Sequence, residues 1–297
     1  MITRREMLTG SLALGGAALL APHVFSAFTI PTNRWYTTQL GWSIGPQLFS
    51  FNRFSFEEAL KMTVASGANS VEVFTGQRIS ANAEGAVNPD ILTNRANLRR
   101  VKELLSEHGC TVHAIGVAPA DRRHFELAAE LNAPVLTSNP DPGEIAAVDR
   151  LAEEFRICVG IHNHPRPHRW YGPAIILERL QDASPRIGAC ADTGHWFRSG
   201  LSPLECVKQL KGRIISFHLE DVIRRADGSV NGDVVHGQGE GEIAEILKEF
   251  ATHESNFGFK VPFSIEYEAD WYNNQPKVAE CVRFFDATAR EIVRARW

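Results

Sequence analysis

One pattern recurs about eight times along most of this 297-residue sequence: a short apolar segment is followed by an amphipathic one. The apolar segments have the length and composition of buried parallel strands, and the amphipathic segments have helical spacing. Strands that alternate with helices form a parallel sheet joined by right-handed crossovers. Eight such units within about 250 residues predict a single (β/α)8 TIM barrel, a fold that commonly has this length.

The predicted elements leave no room for a second domain. The predicted strands are residues 40–44, 71–74, 111–117, 134–137, 157–161, 187–191, 214–219 and 261–267. The predicted helices are residues 56–65, 98–108, 122–131, 143–155, 173–180, 203–210, 242–250 and 276–296. No linker separates them, so residues 34–297 are expected to form one domain. The first strand is not followed by a glycine-rich phosphate-binding sequence, which argues against an open, dinucleotide-binding sheet.

The first 27 residues have the features of a bacterial export signal. Arg4 and Arg5 form a twin-arginine start, a run of Leu, Ala and Gly covers residues 12–20, and small residues at 21–27 offer a cleavage site. The run is too short and too rich in glycine for a stable membrane span. We therefore expect a twin-arginine signal peptide and a periplasmic protein; a helical N-terminal extension is the alternative.

Composition excludes one class of partner. The formal net charge is −4, whereas proteins that bind nucleic acids present a basic surface to the phosphates. The five cysteines are scattered and odd in number, so a disulfide framework is not expected, although a single pair stays open. We expect a small-molecule partner and no nucleic acid, and the sequence leaves a homo-oligomer open.

Most of the predicted strands end in histidine or in a carboxylate. These residues are Glu72, His113, the run His162-Asn163-His164, Asp192 with His195 just beyond it, the run His218-Leu219-Glu220-Asp221, and Glu266 with Glu268. The carboxyl ends of barrel strands carry the chemistry in this fold, and buried charges are costly unless they are paired or bound to metal. One Asp, one Glu and two His from four strands can form a mixed nitrogen–oxygen metal site.

Three motifs carry a family resemblance. They are Asp-Thr-Gly-His at 192–195, Phe-His-Leu-Glu-Asp at 217–221 and Ser-Ile-Glu-Tyr at 264–267, and a glycine-rich run at 237–241 accompanies them. Together they resemble the xylose-isomerase-like TIM barrels, a superfamily of sugar (phosphate) isomerases and epimerases that also holds the endonuclease IV group. The resemblance covers the chain from Leu40 to its end.

The resemblance implies that Asp192, His218 and Glu266 are metal ligands. The fourth ligand of the family is usually a Glu, but this position holds His162, in a His-Asn-His sequence that occurs in one branch of the family; His164 is the competing choice. The implied cofactor is a divalent metal ion: Mn, Co, Mg, Fe or Zn. Relatives often have Lys where Glu220 stands, and its loss argues against a phosphorylated substrate, as export does.

A divalent ion with open positions suits sugar chemistry. It can bind a ketone oxygen together with the neighbouring hydroxyl oxygen, and it stabilises the enediolate that forms when a carbon-bound proton leaves. Glu266 is the expected base, and His164 and His195 are candidates for the opposite face of the sugar. The expected substrate contacts are Glu72, His113, His236 and Trp196, with structural pairing or packing as the alternative for each.

The predicted function is metal-dependent isomerisation or epimerisation of a non-phosphorylated carbohydrate, by proton transfer next to a carbonyl group. Because His162 replaces the familiar second carboxylate, elimination or hydration beside a keto group is the first alternative. The family branch with His-Asn-His includes proteins that resemble lyases and hydratases of 3-keto-sugars. A further alternative is an endonuclease-IV-like phosphodiesterase, because Asp233 and His236 weakly resemble the extra metal ligands of that group. The last alternative is a non-catalytic sugar-binding protein.

Overall fold

The computed structural model describes residues 35–82, 84–253 and 257–296. The predicted signal peptide at 1–27 lies outside the described residues and stays a prediction. Within the described part of the chain, no helix has the length and apolar character needed to cross a membrane.

The helices and strands alternate through the described residues. In chain order they are α1 (Trp35–Gln39), β1 (Trp42–Pro46), α2 (Phe56–Ala65), β2 (Ser70–Val73), α3 (Arg95–Glu107), β3 (Thr111–Ile115), α4 (Arg122–Glu130), β4 (Val135–Ser138), α5 (Ile145–Phe155), β5 (Cys158–His162), α6 (Pro173–Arg179), β6 (Ile187–Asp192), α7 (Thr193–Arg198), α8 (Pro203–Gln209), β7 (Ile214–Leu219), β8 (Asp221–Arg224), β9 (Val230–Val234), α9 (Ile243–Phe250), β10 (Val261–Ile265) and α10 (Gln275–Ala295).

Eight of these strands form a parallel barrel. They are hydrogen-bonded in the order β1-β10-β7-β6-β5-β4-β3-β2, and a parallel bridge between Gln47 and Glu72 joins the two outer strands of this order. The predicted (β/α)8 barrel is confirmed, and the predicted elements agree with the observed ones to within three residues at each end. The last strand ends at Ile265, so Glu266 is the first residue beyond β10 and does not lie inside it.

Two local elements differ from the prediction. The short helix α7 follows β6 directly because the Asp192 carboxylate accepts the backbone N–H of His195 and so caps the helix. Its six residues are too few to show helical periodicity. The segment after β7, which the sequence predicts as a loop, instead forms the antiparallel hairpin of β8 and β9.

Strand alternation explains why the barrel has polar groups along its axis. On the neighbouring strands β7 and β10, the rings of Phe217 and Phe263 stack 4.6 Å apart and pack against helix residues such as Phe250. Successive side chains of a strand point to opposite faces. His218 and Ser264 therefore point inward, where both contact Glu72 of β2.

A carboxylate–glycine turn fixes the chain just beyond β7. The Asp221 carboxylate accepts backbone N–H groups from Gly237, Gly239 and Gly241 at 2.7, 3.0 and 2.9 Å. A side chain at Gly239 would place its Cβ 2.3 Å from Asp221 Oδ1, so the close approach requires glycine. The glycine-rich run at 237–241 thus wraps around a buried carboxylate and holds the segment that follows His218.

Replacing Asp221 with Asn should destabilise the barrel, because an amide nitrogen cannot accept the N–H groups that one carboxylate oxygen now satisfies. We expect the Asp221→Asn variant to lose about 2–4 kcal/mol of unfolding free energy, measured by urea denaturation. The exposed Asp182→Asn variant is the matched control and should change stability by less than about 0.5 kcal/mol. Equal midpoints for the two variants would contradict this role of the turn.

Candidate metal centre

The carboxyl ends of four barrel strands bring two imidazoles and two carboxylates together. These are His162 at the end of β5, Asp192 at the end of β6, His218 in β7 and Glu266 just beyond β10. All four residues are buried, and one ligand atom of each lies within 4.8 Å of the others. The structure thus places in one group the four side chains that the sequence proposes as ligands.

Three atoms of this group show that its residues fit a divalent cation. His162 Nε2, Asp192 Oδ2 and His218 Nδ1 are buried and have no hydrogen-bond partner among the described residues. Unpaired buried polar atoms are costly and rare. Here they form close pairs, since His162 Nε2 lies 3.2 Å from Asp192 Oδ2 and His218 Nδ1 lies 3.1 Å from Glu266 Oε1. Atoms that each bond one ion at about 2.1 Å are separated by about 3 Å or slightly more.

Glu72 orients the imidazole of His218. His218 Nε2 donates to Glu72 Oε2 at 2.9 Å, which leaves the lone pair of Nδ1 directed at the four-residue group. Burial alone would raise the pKa of Glu72, but His218 and the Ser264 hydroxyl lower it to about 2. A carboxylate behind a histidine is the usual second partner at protein metal sites. Glu72 is fully buried beneath the group, so this role replaces the expected substrate contact.

His164 orients the imidazole of His162, and Asn139 in turn contacts His164. If His162 Nε2 serves as the ligand atom, its proton resides on Nδ1, which lies 3.3 Å from His164 Nε2. The same nitrogen of His164 lies 2.9 Å from Asn139 Nδ2. The sequence leaves open which histidine is the ligand. The geometry favours His162, with His164 as its hydrogen-bond partner at the half-buried rim.

The two oxygens of Asp192 have separate tasks. Oδ1 accepts the backbone N–H of His195 at 2.6 Å, and Oδ2 is the unpaired atom of the group. Asn163 bonds both backbone groups of Asp192, at 2.9 and 3.0 Å, and so ties the end of β5 to the end of β6. Burial opposes ionisation, yet the neighbouring His195 and His162 hold the pKa of Asp192 well below its usual range.

A second cluster of charges lies beside this group. Arg198, on α7, pairs with Glu220 and with Asp233 of the β8–β9 hairpin, and it also contacts His195 Nδ1 at 3.2 Å. The sequence reasoning did not single out Arg198. Two signals could have found it: it stands three residues after His195 on the same helix, and a buried Glu220 needs a cation.

Three residues expected to contact substrate do not open into the site. His113 has both ring nitrogens bonded, to Ser70 Oγ at 3.0 Å and Ser264 Oγ at 3.1 Å, and burial lowers its pKa to about 4. His236 is buried and bonds the carbonyl of Leu219. Trp196 is fully buried and offers no ring face to a sugar. Their burial and bonding favour a supporting role in the barrel for all three, and a contact with substrate stays a prediction.

Glu268 is a carboxylate that the sequence noted but gave no role. It follows Glu266 by two residues, and its backbone N–H donates to Asp233. Partial loss of water around the carboxyl group, together with the negative charges of Glu266 and Asp233, raises the pKa of Glu268 to about 7. This group can therefore exchange a proton near neutral pH at the edge of the site.

Changing Glu72 to Gln tests its support of the candidate metal centre. The variant keeps an acceptor oxygen for His218 but loses the charge, and we expect Zn²⁺ affinity to fall by about 10- to 100-fold. Competition with a chromogenic chelator measures this change. Glu245→Gln, on the exposed face of α9, is the control and should bind Zn²⁺ like the unchanged protein. Unaltered affinity in Glu72→Gln would refute the orienting role.

Comparisons with known proteins show that other proteins share this fold. Among solved structures, an uncharacterized protein from Parabacteroides distasonis ATCC 8503 is 26% identical, with a TM-score of 0.63 over 82% of this chain and 98% of that chain. A D-tagatose 3-epimerase-like protein is 17% identical, with a TM-score of 0.64 over 86% and 100% of the two chains. A xylose isomerase-like TIM barrel protein from Mycobacterium smegmatis, in complex with magnesium, is 12% identical, with a TM-score of 0.65 over 84% and 97%.

No protein of curated function matches the sequence significantly. The sequence does match one protein family, described as "Xylose isomerase-like TIM barrel", over residues 60–288. That match spans most of the barrel, from the middle of α2 into α10, and includes all four residues of the candidate metal centre. The chain therefore belongs to the xylose isomerase-like TIM barrel family.

Proposed function

We propose that this protein is a divalent-metal-dependent enzyme that moves a proton next to a carbonyl group of a non-phosphorylated carbohydrate, as sugar isomerases and epimerases do. The observation that carries the proposal is the buried group of His162, Asp192, His218 and Glu266, with three unpaired lone-pair atoms facing one another. Family membership and an epimerase-like neighbour of the same fold support it. From the twin-arginine start of the sequence, we further propose that the enzyme works in the periplasm.

Held by these four residues, a divalent ion (Mn, Co, Mg, Fe or Zn) would supply a Lewis acid for the carbonyl oxygen and the adjacent hydroxyl of the sugar. Glu266 is the proposed base. Burial raises the pKa of Glu266 above its usual value, although His218 opposes part of the rise. A carboxylate beside the bound sugar can take a proton from carbon and return it.

The imidazoles at the rim are placed to contact substrate. The side chain of His195 is 20% exposed, and its ring centre lies 5.2 Å from that of His164. Both rings adjoin His162, at 5.5 and 4.6 Å. Imidazole nitrogens in this position can bond the hydroxyl oxygens of a sugar bound over the metal centre.

The charges of the second cluster support a substrate without a phosphate group. Arg198 is a cation beside the centre, but its two terminal nitrogens pair with the carboxylates of Glu220 and Asp233. Its charge is therefore compensated within the protein. Glu268 adds a carboxyl group near the rim, and its ionised form would repel the phosphate of a sugar phosphate.

Elimination or hydration beside a keto group is the second candidate, and one observation favours it. The family resemblance implies a carboxylate at the ligand position that His162 occupies. Of the four residues, Glu266 can therefore act as the base, and imidazoles are the remaining groups that can carry a proton. An elimination needs one base at carbon and one donor at the leaving oxygen. The phosphodiesterase alternative is not proposed, because Asp233 bonds Arg198 and His236 bonds a backbone carbonyl.

The proposed function is tested by NMR in deuterated water with keto-sugars and 3-keto-glycosides, in the presence of each of the five metals. We expect deuterium to enter the carbon next to the carbonyl, with an isomer, an epimer or an eliminated product identifying the reaction. Chelation should stop the reaction, and Glu266→Gln should slow it by at least about 100-fold. Glu245→Gln is the control and should retain the full rate.

The failure of this proposal would be visible in the same experiment. Absence of deuterium incorporation together with absence of any isomer, epimer or eliminated product, with every sugar and metal, contradicts an enzyme of this class. Thermal stabilisation by a sugar without any exchange would instead identify a sugar-binding protein.

A further inference from the structure

Arg198 is held in a fixed orientation by two carboxylates. One guanidinium nitrogen pairs with Glu220, which lies between β7 and β8, and the other lies 2.9 Å from Asp233 Oδ1 in β9. The side chain of Arg198 is 23% exposed, whereas both carboxylates are 2% exposed. Burial disfavours the charge, but Glu220 and the other carboxylates raise the pKa of Arg198 further above its usual value. The guanidinium is therefore always charged and always a donor.

The same guanidinium contacts one nitrogen of His195. Arg198 Nη1 lies 3.2 Å from His195 Nδ1, within hydrogen-bond distance. Arginine has no acceptor, so Nδ1 must accept this bond and cannot carry a hydrogen. The nearest carboxylate oxygen, Asp192 Oδ1, is 3.9 Å from Nδ1 and accepts the His195 backbone N–H instead. The hydrogen of the ring is thus left on Nε2.

The other nitrogen of His195 is left for a substrate. Among the described residues, none forms a hydrogen bond with Nε2, and the side chain is partly exposed beside His162 and His164. We infer that Arg198 is a positioning residue, which holds His195 in its Nε2–H form so that His195 meets a sugar oxygen as a hydrogen-bond donor.

This inference changes the role first expected for His195. The sequence offered His195 as a proton-transfer group on the face opposite Glu266. With Nδ1 engaged by Arg198, the ring presents N–H rather than a lone pair and serves to polarise a substrate oxygen. Glu266 remains the base. This last step depends on the proposed function, whereas the position of the hydrogen on His195 is a property of the protein without substrate.

The position of that hydrogen can be measured directly. Protein labelled with ¹⁵N-histidine and supplied with diamagnetic Mg²⁺ gives long-range ¹H–¹⁵N correlations that distinguish the two neutral forms of imidazole, and His195→Gln assigns the signals. We expect His195 to carry its hydrogen on Nε2. We expect Arg198→Met to shift the signals toward the Nδ1–H form or an average of the two, and Arg198→Lys, which can still donate, to restore the original pattern.

A matched control and the contrary results complete the test. Arg123→Met, which removes an exposed arginine paired with Asp90, should leave the His195 signals unchanged. An Nδ1–H or doubly protonated His195 in the unchanged protein at neutral pH overturns the inference, even if Arg198→Met fails to fold. An unaltered pattern in a folded Arg198→Met variant overturns it as well.

With a substrate in hand, the kinetics give a second readout. Arg198→Met should lower kcat at least about 10-fold in protein saturated with Mg²⁺, because Arg198 touches none of the metal-binding atoms and acts through His195. Arg198→Lys should recover most of the rate. If no substrate is found, the proposed function is contradicted. The NMR measurement still tests the position of the hydrogen on His195, because it requires no substrate.

Discussion

Two carboxylates and two imidazoles are buried together at one end of this barrel, and most of the surrounding structure is arranged around that constraint. Buried charges are costly unless they are paired, hydrogen-bonded or bound to metal. His162, Asp192, His218 and Glu266 come from the ends of four strands that are neighbours in the barrel, and this arrangement brings them to one point. A divalent cation would offset the free-energy cost of burying these side chains. The same cation would supply the Lewis acid for the proposed reaction.

A common rule governs how three side chains of the group, those of His162, Asp192 and His218, are held. One atom is fixed by the protein, and the other is left unpaired and directed at the centre. Asp192 uses Oδ1 to cap α7, His218 uses Nε2 to bond Glu72, and His162 uses Nδ1 to bond His164. The atoms left over are those without hydrogen-bond partners among the described residues. Arg198 applies the same rule to His195, where the free atom faces the space for substrate.

The fold and the central group could be predicted because their signals are local. Strand and helix periodicity lies within each segment, and a His or a carboxylate at a strand end is visible from a few residues. The supporting contacts could not be predicted in the same way. Glu72 and His218 are 146 positions apart, and no local pattern shows that their side chains meet across the barrel axis. For that reason the sequence treats Glu72 as a substrate contact and passes over Arg198.

We propose that these four residues together bind one divalent ion. Crystals grown with Zn²⁺ and measured on both sides of the zinc absorption edge would test it most directly. We expect a single strong anomalous peak within bonding distance of His162 Nε2, Asp192 Oδ2, His218 Nδ1 and a Glu266 oxygen. A peak coordinated by His164 in place of His162, or no peak between these side chains, would contradict it.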